Sequence, residues 1–295
     1  MDYKTLILFV ENIWSTTVAL SLWLLIGLLV AGILHVFVPD NFIKHHLGHK
    51  KGFWTVLKAV IFGVPMPLCS CGVIPAALGI KKQGAGDGAA LGFLISTPQT
   101  GVDSIMVSAS MLGWPFAIFK LVSAFVIGII GGGLAFISGS KNNNEDENGS
   151  NDTLVEKRSI KDIFIFAIDD LLKMIWKWLV AGVIISAAIT TWLPKDFFNN
   201  YLPDNAILAM LIVLLISLPM YVCATASVPI AAALVVTGMP AGAALVFLMA
   251  GPASNVATIG AVYRTFGLKK LLIYLGSIIG GSILGGILFD SVITP

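Results

Sequence analysis

The sequence predicts an all-α polytopic membrane protein built from two internal repeats, and three observations predict it. The first is composition: 57% of the residues are hydrophobic and 12% charged, with a mean hydropathy of +0.92. A soluble domain carries roughly a quarter of its residues charged to cover its surface. The second is a series of apolar runs, each near the ~20 residues that cross a hydrocarbon core. The third is a register of 154 residues in which proline, cysteine and glycine recur.

Composition also excludes classes. A net charge of +2, with no basic stripe interleaved with aromatics, points away from nucleic acid. Three cysteines, all inside apolar segments, cannot form a disulfide framework. Asp2, Lys4 and Glu11 precede the first apolar run, so no removable signal peptide is expected. No Walker A sequence is present, which predicts that this chain does not hydrolyse ATP. No enzymatic activity and no cofactor are expected.

The first apolar run spans Trp14 to Val38 and is closed by Pro39. The second, Phe53 to Ile80, is interrupted by Pro65, Pro67 and Pro75. The third, Gly88 to Leu112, is interrupted at Thr97-Pro98-Gln99-Thr100-Gly101, and the fourth runs from Trp114 to Ile137. Residues 138–159 are rich in Asn, Glu, Asp, Gly and Ser and lack apolar periodicity, which reads as a solvated cytoplasmic linker. Its acidic run Glu145-Asp146-Glu147 reads as a solvated loop. The chain thus divides into a first transmembrane repeat (1–137), the linker (138–159) and a second transmembrane repeat (160–295).

A shift of 154 carries Pro65 to Pro219, Met66 to Met220, Cys69 to Cys223, Pro75 to Pro229, Gly84 to Gly238 and Pro98 to Pro252. The same shift carries Gly88-Ala89-Ala90-Leu91 to Gly242-Ala243-Ala244-Leu245. Charge sets the orientation of the repeats, because Lys and Arg accumulate in cytoplasmic loops. Lys81 and Lys82 correspond to Val235 and Val236, while Arg264, Lys269 and Lys270 correspond to Ser110, Pro115 and Phe116. The bias flips, which favours inverted repeats with re-entrant, proline-broken helices over eight simple spans in parallel repeats.

Two pairs of segments can carry chemistry. One is Pro65 to Gly72 with its counterpart Pro219 to Thr225. Proline removes a backbone donor and frees carbonyls, and cysteine thiolates suit soft ions. Cys69, Cys71 and Cys223 are therefore candidate ligands for a thiophilic substrate or metal, with Ser70 beside them. The other pair is Ser96 to Ser104 with Ala250 to Thr258, the most polar stretches inside apolar spans. Gln99, Thr100, Ser254 and Asn255 are candidate pathway lining, or equally hydrogen-bond glue between helices. Asp103 is a candidate for substrate contact and proton coupling, because a carboxylate inside a span is costly and burial would raise its pKa. Lys58 and Lys120, near span ends, read as snorkelling side chains. The four histidines of the stretch from His35 to His49 read as an interfacial cluster. The glycine runs 128–133 and 276–286 read as close helix packing.

Pro67-Leu68-Cys69-Ser70-Cys71-Gly72-Val73-Ile74-Pro75, Ser96 to Ser104 and Gly251-Pro252-Ala253-Ser254-Asn255 together resemble the predicted-permease family that includes the bacterial organoarsenical efflux permease. The chain looks most like the branch of copper/zinc efflux transporters. The resemblance implies a multi-pass exporter of a thiophilic species in the bacterial inner membrane, with the bilayer and the soft substrate as its partners. A homo-oligomer is compatible with the sequence. A rival reading is a transmembrane thiol–disulfide electron carrier, in which Cys223 would pair with Cys69 or Cys71.

Overall fold

The computed structural model describes residues 52–66, 68, 70–139, 206–218, 224, 225, 227–236 and 238–293, with isolated positions before residue 19 and at 180 and 184. Apart from those positions, the predicted span from Trp14 to Val38 lies outside the described residues. So do the linker residues 140–159, the histidine cluster and the two prolines Pro67 and Pro219. The described residues are helical throughout, joined by short turns.

In chain order the helices are α1 (Trp54–Gly63), α2 (Ser70–Lys82), α3 (Asp87–Thr100), α4 (Val102–Leu112), α5 (Trp114–Gly139), α6 (Ala206–Ser217), α7 (Ser227–Val236), α8 (Ala241–Ala253) and α9 (Val256–Ile293). The break expected at Pro65 is present, since α1 stops at Gly63 and α2 starts at Ser70. Pro75, Pro98 and Pro252 do not break their helices. Each instead lies within a helix and withholds an N–H from the carbonyl four residues earlier. The interruption predicted around Pro98 falls at Gly101, whose extended backbone separates α3 from α4. In α9 the helix is broken at Gly267, where φ is +79°.

Local geometry recurs at the 154-residue spacing. Gly84 accepts φ +98° and Gly238 φ +106°; Gly113 and Gly267 take +92° and +79°. These left-handed values favour glycine because no Cβ collides with the backbone. The turn after α2 is closed by Gly84 N–H to Lys81 O and Ala85 N–H to Ile80 O. The turn after α7 is closed by Gly238 N–H to Val235 O and Met239 N–H to Leu234 O.

At the centre lie α3 and α8. From Gly88 to Thr100, and from Gly242 to Ala253, every residue is buried. Their hydrophobicity is correspondingly all-round rather than one-sided, as expected for helices enclosed by protein. Around them stand α5 and α9, the two described helices long and apolar enough to cross a membrane. Ile118, Val122, Val126, Ile130 and Leu134 form an exposed row along α5, the face a hydrocarbon core would cover. Its opposite face is glycine-lined, and the reason is distance. A Cβ on Gly132 would stand 2.7 Å from Gly88 O, and one on Gly286 would stand 2.8 Å from Gly242 O. The run 128–133 therefore serves close packing, as its sequence suggests; in the run 276–286 only Gly281 and Gly286 do so, and Gly276 and Gly280 face open space.

Candidate functional site

The polar stretches end the two central helices. In α3, Ser96 Oγ donates to Gly92 O at 3.0 Å and Thr97 Oγ1 to Phe93 O at 2.7 Å. Thr100 Oγ1 donates to Ser96 O at 2.9 Å and to Val64 O at 3.2 Å. That second acceptor ties the end of α3 to the proline break after α1. At the end of α8, Ser254 Oγ donates to Ala250 O at 2.6 Å. Asn255 Oδ1 accepts from Thr258 N at 2.9 Å and from Thr258 Oγ1 at 3.0 Å, capping the start of α9.

Gln99 differs from all of these. It is wholly buried, and neither its amide oxygen nor its amide nitrogen has a partner among the described residues. Buried amides are paired in the great majority of cases, so an unpaired one calls for a ligand or water to complete it.

The cysteines are less fully placed. Cys69 and Cys223 lie outside the described residues, and of Ser70 and Cys71 the backbone alone, opening α2, is described. Among the described residues, no three His, Cys, Asp or Glu side chains gather as a metal site. One contact reaches the edge of the second cysteine segment: Ser104 Oγ donates to Ala224 O at 3.2 Å, one residue beyond Cys223.

Two sequence expectations are corrected here. Asp103 is exposed, in the first turn of α4. A carboxylate there is favoured by the helix dipole, and the burial on which its proton-coupling role rested is absent. Lys120 does not snorkel: it is fully buried within α5. Its Nζ donates to Ser104 Oγ at 2.6 Å and to Ser108 Oγ at 3.4 Å. The signal in the sequence was the pair of hydroxyls four residues apart in the preceding apolar helix, one turn above the other. Sequence reading also passed over Tyr274, equally buried, whose hydroxyl donates to Ala253 O at 2.5 Å.

At one end of the molecule, Asp87 at the start of α3 pairs with Lys81 at 2.7 Å and with Lys270 of α9. Lys81 also donates to Thr265 O and lies over the Phe266 ring. Burial pushes the Asp87 carboxyl up, but the two ammonium groups outweigh it and leave the carboxyl below its ordinary range.

Buried central helices carrying an amide unpaired among the described residues, beside long helices with apolar outer faces, are consistent with a helical membrane protein that holds polar groups in its interior. Comparison with known proteins places it among transporters. The chain belongs to the predicted-permease family, which it matches over residues 6–291. It is similar to a UPF0718 protein of Methanocaldococcus jannaschii, at 26% identity over 95% of both chains. It also resembles the UPF0718 protein YcgR of Bacillus subtilis, at 23% identity over 86% of each. A putative permease of Mycobacterium tuberculosis is 22% identical over 80% of this chain and 65% of its own. No solved structure matches.

Proposed function

We propose that this permease exports a thiophilic substrate, a trivalent organoarsenical or a soft metal such as copper or zinc, across the bacterial inner membrane as a multi-pass secondary transporter. The observation that carries a permeation site is Gln99, a buried amide at the end of a fully enclosed helix with both polar atoms unpaired among the described residues. Such groups inside a membrane protein are expensive and tend to line a path for polar cargo. Thr100, Ser254 and Asn255 border the same helix breaks. The thiophilic preference rests on Cys69, Cys71 and Cys223, whose thiolates match soft centres and whose segments are reached at their edges by Thr100, at Val64 O, and by Ser104, at Ala224 O. Two inverted repeats meeting at the site are the proposed architecture. The glycine turns recurring 154 residues apart support the duplication, and the flipped Lys and Arg bias supports the inversion.

Everted membrane vesicles accumulating phenylarsine oxide, Cu(I) or Zn(II) test this directly. Cys69→Ser and Cys71→Ser should each lower accumulation at least tenfold at equal protein level, and Gln99→Leu should lower it about as much. Unchanged accumulation in both cysteine variants would overturn the soft-ligand reading. A Cys223 disulfide that forms and clears with a redox partner, without accumulation, would replace transport with electron transfer.

A further inference from the structure

We propose that Lys120 is the proton-exchange group that couples transport. The inference rests on the transport reading but not on which soft substrate is carried. Its basis is the way the site is hydrogen-bonded. Ser104 Oγ donates its single proton to Ala224 O, and Ser108 Oγ donates its own to Ser104 O at 2.6 Å. Both hydroxyls therefore present lone pairs to Lys120, and Nζ must donate to each. A neutral amine has two N–H groups, and two acceptors are present among the described residues. An ammonium has three, one more than the site can satisfy.

Among the described residues no charge pairs with Lys120 to compensate the ammonium form. Every element packed on α5 contributes titratable or charged groups except α8: Lys58 on α1, Asp87 on α3, Asp103 on α4, and Tyr263, Arg264, Lys269, Lys270, Tyr274 and Asp290 on α9. None of these pairs with Lys120 among the described residues. Asp87 is engaged by Lys81 and Lys270, Asp290 accepts from Gly242 N–H, and Asp103 is exposed. A buried lysine held, among the described residues, by neutral hydroxyls has no structural need of its charge, unlike one locked in an ion pair. Such lysines exchange protons readily.

The step is simple in atoms: Nζ takes one proton from water on one side of the membrane and returns it on the other, and no other bond changes. The Ser104 hydroxyl carries the consequence across the molecule. It joins Lys120 on the first half to the Ala224 carbonyl, beside Cys223 on the second. Charging Nζ is thus felt at the segment that bears a proposed substrate thiol.

The test is proton flux in liposomes containing the purified full chain and a trapped pH dye, with phenylarsine oxide, Cu(I) and Zn(II) as probes. Wild type should move protons against the probe. Lys120→Gln, whose amide supplies two N–H groups but takes no proton, should lower protons moved per probe at least tenfold. Lys120→Arg, which holds a proton it cannot release, should lower the ratio likewise and serves where the glutamine variant is not recovered in the membrane. For a variant too slow in flux, the same ratio is read as protons exchanged per phenylarsine oxide bound in detergent. A wild-type ratio retained in either variant overturns the proposal. So does wild-type transport without proton movement, which leaves the transport reading intact. A wild type that moves none of the probes sinks the transport reading and this proposal with it.

Discussion

Lys120 and Tyr274 stand 154 residues apart, each fully buried on a long apolar helix that follows a glycine with positive φ. Tyr274 reaches the carbonyl of Ala253, which occupies the position of Gln99 in the other half. Lys120 instead reaches the hydroxyls of the neighbouring helix, and Gln99 stays unpaired among the described residues. One half closes its polar break internally, whereas in the other the Gln99 amide has no partner among the described residues. The ends differ in the same way. Lys81, Asp87 and Lys270 form an ion cluster, whereas their counterparts Val235, Ala241 and Phe116 carry no charge, and Phe116 packs edge-on against Phe289. Left-handed glycines recur at the 154-residue spacing; charge does not.

Exchanging the two buried groups breaks this comparison most severely. Tyr274→Lys would place an ammonium where one carbonyl waits, and an uncompensated buried charge costs about 3–5 kcal/mol. Loss of the monodisperse folded peak in detergent is the expected result. Next come the paired glycines. Gly132→Ala and Gly286→Ala each force a Cβ against a helix backbone and should lose about 1–3 kcal/mol in thermal unfolding. Nearly equal losses would sharpen the likeness of the halves, and a large difference would break it. Tyr274→Phe leaves the Ala253 carbonyl without its donor at about 1–2 kcal/mol, and the protons moved per probe should stay as in wild type.

The smallest effect is expected at the ion cluster, where Asp87→Asn should cost about 1 kcal/mol. The folded Asp87 carboxyl lies below its ordinary range. Its contribution is therefore complete above about pH 4, near the unfolded value, and lost as pH falls through the folded value. Asp87→Asn should flatten the acid side of a stability profile and leave the neutral side sloped as before.

Much of the fold was legible because proline, glycine and apolar length act locally. The breaks near Pro65 and Gly101, the long helix from Trp114 and the glycine packing all follow from such local rules. Asp103 and Lys120 were misread for one shared reason. Depth within a span was judged from distance along the chain, whereas burial depends on which neighbour covers the side chain. Gly101 restarts the helix, so Asp103 falls in a first turn and faces outward. The same restart presents Ser104 and Ser108 to α5, and they enclose Lys120. Pairing between distant helices, as in the Lys270–Asp87 contact, had no local signal at all.

Enclosure of α3 also bears on how the protein is made. The segment from Gly88 to Thr100 is too short to cross a bilayer alone and ends in Ser96, Thr97, Gln99 and Thr100. It emerges from the ribosome before the α5 helix that covers it, and before its counterpart α8. Ser96, Thr97 and Thr100 can turn their hydroxyls onto carbonyls of α3 itself, but lipid offers nothing to the Gln99 amide, so the end of α3 needs shelter from lipid until α5 arrives. Biogenesis of this chain is then a matter of timing: a central helix is synthesised before the helix that encloses it.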